Sequence, residues 1–195
     1  MARPRTTSDE AVLAAAARAI GAHGTAALTL AKVAEEAGLS PATLVQRFGS
    51  KRGLLLAVAR TAEGAAASAF ERARAAHGSP LAALLAALDS FAAPVRTPEE
   101  MANHLGFLQL DLTDPEFRDL ARAQARRIHG EIARLVGEAE RDGELAEGLT
   151  ARSVQVAYNG ALITWAIDGS GTLADALRAA LTQLIDPYRA NGRHP

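Results

Sequence analysis

The stretch from Leu28 to Leu55, LTLAKVAEEAGLSPATLVQRFGSKRGLL, decides the fold. Thr29 precedes a short helical run with Leu28 and Val33 at the positions of a hydrophobic staple, although Lys32 takes the place of the capping-box Glu. Gly38 ends that run near Ala37. The next begins at once: Ser40 is its cap, Pro41 suits the first turn, and Leu39 with Leu44 forms a second staple. Gly49-Ser50 closes it and opens a helix carrying Leu54, Leu55 and Val58. Two short helices meeting across Ala37-Gly38-Leu39-Ser40 match a helix-turn-helix.

In the second of these helices Leu44 and Phe48 lie four apart and face the core, which turns Ala42, Thr43, Gln46 and Arg47 outward. This suits a helix entering a major groove. Arg47 fits guanine O6/N7, Gln46 fits adenine, and Thr43 or Ala42 fits a thymine methyl or a phosphate. The plainer alternative is an ordinary solvated face. Lys51 and Arg52 stand in the first turn after Ser50, where the helix dipole disfavours cations by about 0.3–1 kcal/mol each. An anion held between that N-terminus and Lys51 removes the conflict, and a DNA phosphate is the expected one.

Working outward, the whole chain reads as all-α. It has 195 residues and is 49% hydrophobic, enough for a core without staples. It holds 46 alanines and 25 leucines but only 4% aromatics, a mix that favours helix over sheet. Thr7-Ser8-Asp9-Glu10 has the capping-box form, and Val12, Leu13, Ala16, Ala17 and Ile20 follow at helical spacing up to a break at Gly21–Gly24. The helix from Lys51 runs to His77. Further helices are expected over Leu81–Ala93, Pro98–Leu112, from Asp114-Pro115 to Asp142-Gly143, and after the caps Thr150 and Thr172. The expected organisation is a helix-turn-helix domain over 1–50, a linking helix over 51–77, a larger helical domain over 78–188, and a disordered tail over 189–195.

A net charge of −1 argues against a generic polyanion binder, but the charge is not evenly spread. Residues 1–60 hold eight bases against four acids, and the remainder holds thirteen against eighteen. A basic N-terminal module on an acidic body points to a polyanion partner for one end. Cysteine is absent, which excludes disulfides and thiolate sites, and the first residues carry no apolar signal core. A cytoplasmic location is expected. The longest uncharged apolar-rich run, Ser153–Ile167, is 15 residues, short of the ~20 needed to span a bilayer.

Residues 7–60 resemble the DNA-binding domain of the tetracycline-repressor (TetR) family. The matching text is Leu28 to Ser40 without a gap, then Thr43-Leu44, Phe48 and Ser50-Lys51-Arg52-Gly53-Leu54-Leu55. The resemblance implies that Thr29 and Ser40 touch backbone phosphate beside the two helix starts. It also implies that Thr43, Gln46 and Arg47 face the groove, that Lys51 holds phosphate, and that Arg3 and Arg5 form a basic arm on DNA. Val45 departs from the family pattern, which usually has a tyrosine whose hydroxyl reaches phosphate. The remainder of the chain, on this resemblance, is a helical ligand sensor and dimerisation unit.

From the residues alone, the helices over Met101–Gln109 and Val154–Trp165 are the expected pocket walls. They mix Met101, Phe107, Leu108 and Trp165 with isolated polar groups, among them Asn103, His104, Gln109, Gln155, Tyr158 and Asn159. Apolar lining with a few directed polar atoms suits a small, largely apolar effector. The last two helices, with Val154, Val156, Ala161, Leu162 and Ile163, then Leu173, Leu177, Leu181, Leu184 and Ile185, resemble the family's four-helix dimer interface. A two-fold homodimer also suits a palindromic operator.

An enzyme is not supported: GxxxxGK[ST], GxSxG and HExxH are all missing. Met101 and Arg126 deny His104 and His129 the Glu-x-x-His pattern of a di-iron bundle. No cofactor, metal site or membrane partner is expected. The expectation is a homodimeric, ligand-responsive DNA-binding regulator, a repressor released from a palindromic operator; the competing reading is a non-catalytic helical interaction module.

Overall fold

The computed structural model describes residues 7–190. Within them the alanine- and leucine-rich text forms α1 (Asp9–Ala27), α2 (Leu30–Ala37), α3 (Pro41–Phe48), α4 (Lys51–Ala76) and α5 (Pro80–Ala92). These are followed by α6 (Pro98–Thr113), α7 (Pro115–Arg141), α8 (Ala151–Asp168) and α9 (Leu173–Ile185). The fold is all-α, as the composition predicts. Six of the starts have a local cause: Ser8, Thr29, Ser40, Ser79, Thr150 and Thr172 accept a backbone N–H three residues on, satisfying a donor the helix itself cannot.

The cap of α1 is Ser8, whose Oγ accepts the Ala11 amide at 3.2 Å, one residue later than the capping-box reading places it. The Thr7 carbonyl is engaged elsewhere, by a residue of α3. Inside α1, Gly24 leaves helical geometry at φ 70°, which accounts for the expected break.

The described chain divides into two compact units. One runs up to Ala62 and takes in Glu99–Ala121; the other comprises Glu63–Pro98 and the residues from Arg122 onward. The sequence reading closes the first domain at residue 50, whereas this unit also holds α6 and the start of α7. The reason is the core. Val12, Ala16, Ile20, Leu28, Val33, Leu44, Leu54 and Leu55 are buried together with Phe117, which is 1% exposed. Phe107 packs on Phe117 with ring centroids 6.3 Å apart, and Asn103 Nδ2 donates to the Gly21 carbonyl at 2.8 Å. Each fully buried Leu, Ile or Phe is worth about 1.5–3 kcal/mol, so removing α6 and the start of α7 would open this core.

In the second unit Leu81, Leu84, Leu88, Ile132, Leu135, Val154, Leu177, Leu181 and Ile185 are buried. The Glu144 carboxylate accepts from Ser79 Oγ and from the Leu81 amide, so it caps α5 alongside Ser79. The region after α9 departs from the tail reading. Leu145 and Arg189 form an antiparallel bridge, and the Ala190 amide donates to Glu144 O at 3.1 Å. Backbone bonds thus hold both residues, and 191–195 lie outside the described residues. Along α8, Val156, Gly160, Ile163 and Ile167 are exposed at spacings of four, three and four, a stripe on one helix side. Among the described residues no helix is long and apolar enough to cross a membrane.

Candidate nucleic-acid interface

The corner between α2 and α3 is made by Gly38, at φ 64°, a left-handed conformation that glycine adopts without a Cβ penalty. Its amide donates back into the end of α2, and the Leu39 amide reaches the Ala34 carbonyl at 2.8 Å. Ser40 then caps α3 through the Thr43 amide at 3.2 Å, and Thr29 caps α2 through the Lys32 amide at 3.2 Å. Ser40 and Thr43 also share a hydrogen bond between their hydroxyls at 2.9 Å. Both cap residues are exposed.

The joint between α3 and α4 depends on Gly53. A Cβ there would lie 2.1 Å from the Phe48 carbonyl oxygen, so the two backbones approach more closely than any side chain permits.

The face α3 presents differs from the expected one at Thr43, which is half-buried with its hydroxyl on Ser40, and at Arg47. Leu44 is fully buried, and Ala42, Val45 and Gln46 are exposed. Arg47 is not turned outward. Its Nη1 donates to the Thr7 carbonyl at 2.6 Å and lies 3.3 Å from Asp9 Oδ1, with 21% of its side chain exposed. At about 100° per residue, position 47 lies roughly 60° from Leu44 around the helix axis. It therefore flanks the core rather than opposing it, and a long side chain there reaches the start of α1. Val45, about 100° from Leu44, is 49% exposed.

Lys51 Nζ donates to Ala26 O at 2.8 Å and Lys32 Nζ to Ala27 O at 3.0 Å. The two ammonium groups cap the last carbonyls of α1, the end of a helix where positive charge is favoured. Arg52 instead forms a fork with Asp114 and reaches Glu116, which also accepts from Arg60. The hydrogen bond from Arg52 holds the Asp114 carboxyl below its ordinary range, and Asp114 in turn raises the guanidinium. Carbonyls and carboxylates of the chain itself thus offset much of the cation–dipole conflict at the start of α4. The expected arm residues Arg3 and Arg5 lie outside the described residues.

The residues expected to line an effector pocket fall in two different units. In the first, Met101 is buried, Phe107 packs on Phe117, and Leu108 is exposed. His104 is half-buried beside Gly21; burial lowers its pKa from the ordinary value, against a raising pull from Glu100. In the second, Tyr158 and Asn159 line a cavity of about 50 Å³ together with Leu88, Phe91, Ile132 and Gln155. Burial first, and the Asp89 carboxylate second, raise the Tyr158 phenol above its ordinary value. Trp165 is buried with its indole N–H donating to Gly171 O at 3.3 Å, closing the α8–α9 corner. Two wider, open clefts of about 390 and 560 Å³ share Asp89 as a wall and are otherwise lined by residues near the C-terminal half of α5 and along α9. The sequence carried no sign of them, because α5 and α9 are some ninety residues apart.

A capped α2, a glycine corner and an α3 with a solvent-facing side define a helix-turn-helix regulator. The family described as "Bacterial regulatory proteins, tetR family" matches residues 12–58. The chain is 34% identical over 146 residues to the HTH-type transcriptional regulator BetI of Rhizobium meliloti, covering 73% of this chain and 72% of that protein. It is 32% identical over 151 residues to BetI of Brucella anthropi, covering 70% and 73%. Among solved structures, a TetR transcription regulator from Haloarcula marismortui superposes with a TM-score of 0.75 at 19% identity, over 92% of this chain and 97% of that one. The transcriptional regulator FadR from Bacillus subtilis, in complex with stearoyl-CoA, superposes with a TM-score of 0.68 at 18% identity, over 91% and 98%. These two share the fold. The chain belongs to the TetR family of transcriptional regulators, which are DNA-binding proteins and not enzymes.

Proposed function

We propose that the chain acts in the cytoplasm as a homodimeric repressor, bound to a palindromic operator through α3 and released when a small, largely apolar molecule occupies the second unit. The observation that carries the reading is the α2–α3 corner, with exposed hydroxyl caps at both helix starts and an exposed face on α3. Two such faces related by a two-fold axis would read two half-sites one helical turn apart.

The pairing surface we assign is the stripe Val156, Gly160, Ile163 and Ile167 on α8 with the neighbouring α9. Ile167 is 83% exposed and Val156 59%, and a monomer in water gains nothing from such a stripe. A long acyl chain such as the one bound to Bacillus subtilis FadR exceeds a cavity of about 50 Å³. An effector of that size would have to be received by the open clefts of about 390 and 560 Å³ or by a widened form of the cavity, either one giving an effector-bound form of the second unit. Release follows if that form binds the effector more tightly than the DNA-competent form does.

The test combines sedimentation with operator binding. The wild-type chain is expected to sediment as a dimer at micromolar concentration and to retard one duplex selected from genomic fragments. Ile163→Glu is expected to give a monomer that binds that duplex far more weakly. A wild-type monomer that still binds a palindrome tightly would overturn the dimer, and failure to enrich any duplex would overturn the regulator reading.

A further inference from the structure

The exposed side of α3 carries no charge. Ala42, Val45, Gln46 and the closing residue Gly49 stand at i, i+3, i+4 and i+7, and all four are exposed, so they form one continuous surface. The single charged side chain of α3 is Arg47, which is bound to the Thr7 carbonyl and to Asp9 at the start of α1. Thr43 is half-buried, with its hydroxyl on Ser40. What remains to meet base edges is one amide, Gln46, beside two aliphatic side chains.

The major groove distinguishes base pairs by their donors, acceptors and methyl groups. Guanine O6/N7 calls for a fork of donors from Arg or Lys, adenine N6/N7 for an Asn or Gln amide, and the thymine C5-methyl for an apolar contact. A face with an amide and two aliphatic groups but no cation matches the second and third patterns and lacks the first. Val45 sharpens the match: it is a large aliphatic side chain 49% exposed on the reading side.

Resting on the reading of the chain as an operator-binding regulator, we propose that α3 reads A·T pairs. Gln46 takes one adenine at N6 and N7, while Val45 and Ala42 pack on thymine methyls beside it. Arg47 is a positioning residue that ties α3 to the start of α1 and contacts no base. Val45 is thus a determinant of specificity through a methyl contact, a role distinct from the phosphate contact of the tyrosine it replaces.

The experiment is selection by the full-length chain from a random double-stranded DNA library, followed by binding to the selected duplex. The expected half-site has A·T pairs under α3. Replacing the contacted dT by dU, which removes the C5-methyl alone, is expected to weaken wild-type binding about four-fold per methyl. The effect should shrink in Val45→Ala. Gln46→Ala should lose preference at one adenine per half-site, by about ten-fold or more. Arg47→Lys should select the same half-site. A selected half-site with guanine under α3 that Arg47→Lys no longer prefers would overturn the proposal and return Arg47 to the groove. Tolerance of every dT-to-dU change would overturn the methyl contacts, a measurement that needs no folded variant. Both results leave the regulator reading standing, whereas a library yielding no enriched duplex would remove both.

Discussion

Arg52 and Asp114 meet in a two-point fork, Nε to Oδ2 at 3.0 Å and Nη2 to Oδ1 at 2.9 Å. Asp114 Oδ1 also accepts the Glu116 amide at 3.0 Å, so one carboxylate caps α7 and anchors the first turn of α4. The Arg52 guanidinium further lies 5.7 Å from the centre of the Phe117 ring, within reach of a cation–π contact.

This arrangement predicts an acid sensitivity of known sign. The Arg52 hydrogen bond lowers the Asp114 pKa from 3.8, so its contribution is complete above that value and drains away as pH falls through the lower folded value. Asp114→Asn is expected to lower the urea midpoint near pH 7, and the gap to wild type should narrow near pH 3. A gap that stays constant with pH would show that the charge on Asp114 contributes nothing.

Lys51 is expected to act through phosphate rather than base. Lys51→Ala should weaken all duplexes alike and reduce the slope of log K against log salt by about 1. Lys32→Ala removes the neighbouring bond to Ala27 and serves as the control for the capping role of the pair. Salt titrations in which Lys32→Ala changes the slope and Lys51→Ala does not would reverse the assignment.

Gly53→Ala should be severely destabilising, by roughly 3 kcal/mol, because its Cβ would collide with the Phe48 carbonyl oxygen. Gly64→Ala, on the same helix with nothing within 4 Å of the added Cβ, should instead stabilise by about 0.5–1 kcal/mol. Thermal unfolding of the two variants should separate close approach from helix propensity.

His104 predicts a second pH effect. Burial lowers its pKa in the folded protein below the ordinary 6.5. The unfolded chain therefore takes up a proton first as pH falls below that value, and stability declines from there down to the folded pKa. His104→Gln should flatten this part of the profile. Equal slopes for variant and wild type between about pH 7 and pH 5 would place the acid sensitivity elsewhere.

What the sequence disclosed was local. Thr29, Ser40, Thr150 and Thr172 cap helices because the backbone amide that each hydroxyl accepts lies only three residues on, and the corner at Gly38 follows from the same short range. What it concealed was carried by partners distant along the chain. Arg47 turns inward because the Thr7 carbonyl awaits it forty residues earlier, and that same bond accompanies the shift of the α1 cap to Ser8. Arg52 looked like a surplus cation at a helix start because Asp114 lies sixty-two residues on. The expected pocket walls divided between two units because apolar periodicity on α6 marks a buried face without saying which core receives it.

The protein has two lysines, and both donate to adjacent carbonyls at the end of α1. Amine-directed reagents, which ordinarily scatter labels over a protein surface, are thereby confined to one corner apart from the chain's α-amino group. Acylation there would remove two charges and two caps together, whereas reductive methylation would keep both charges. The pair of reactions would separate charge from covalent bulk at a single place without any mutation.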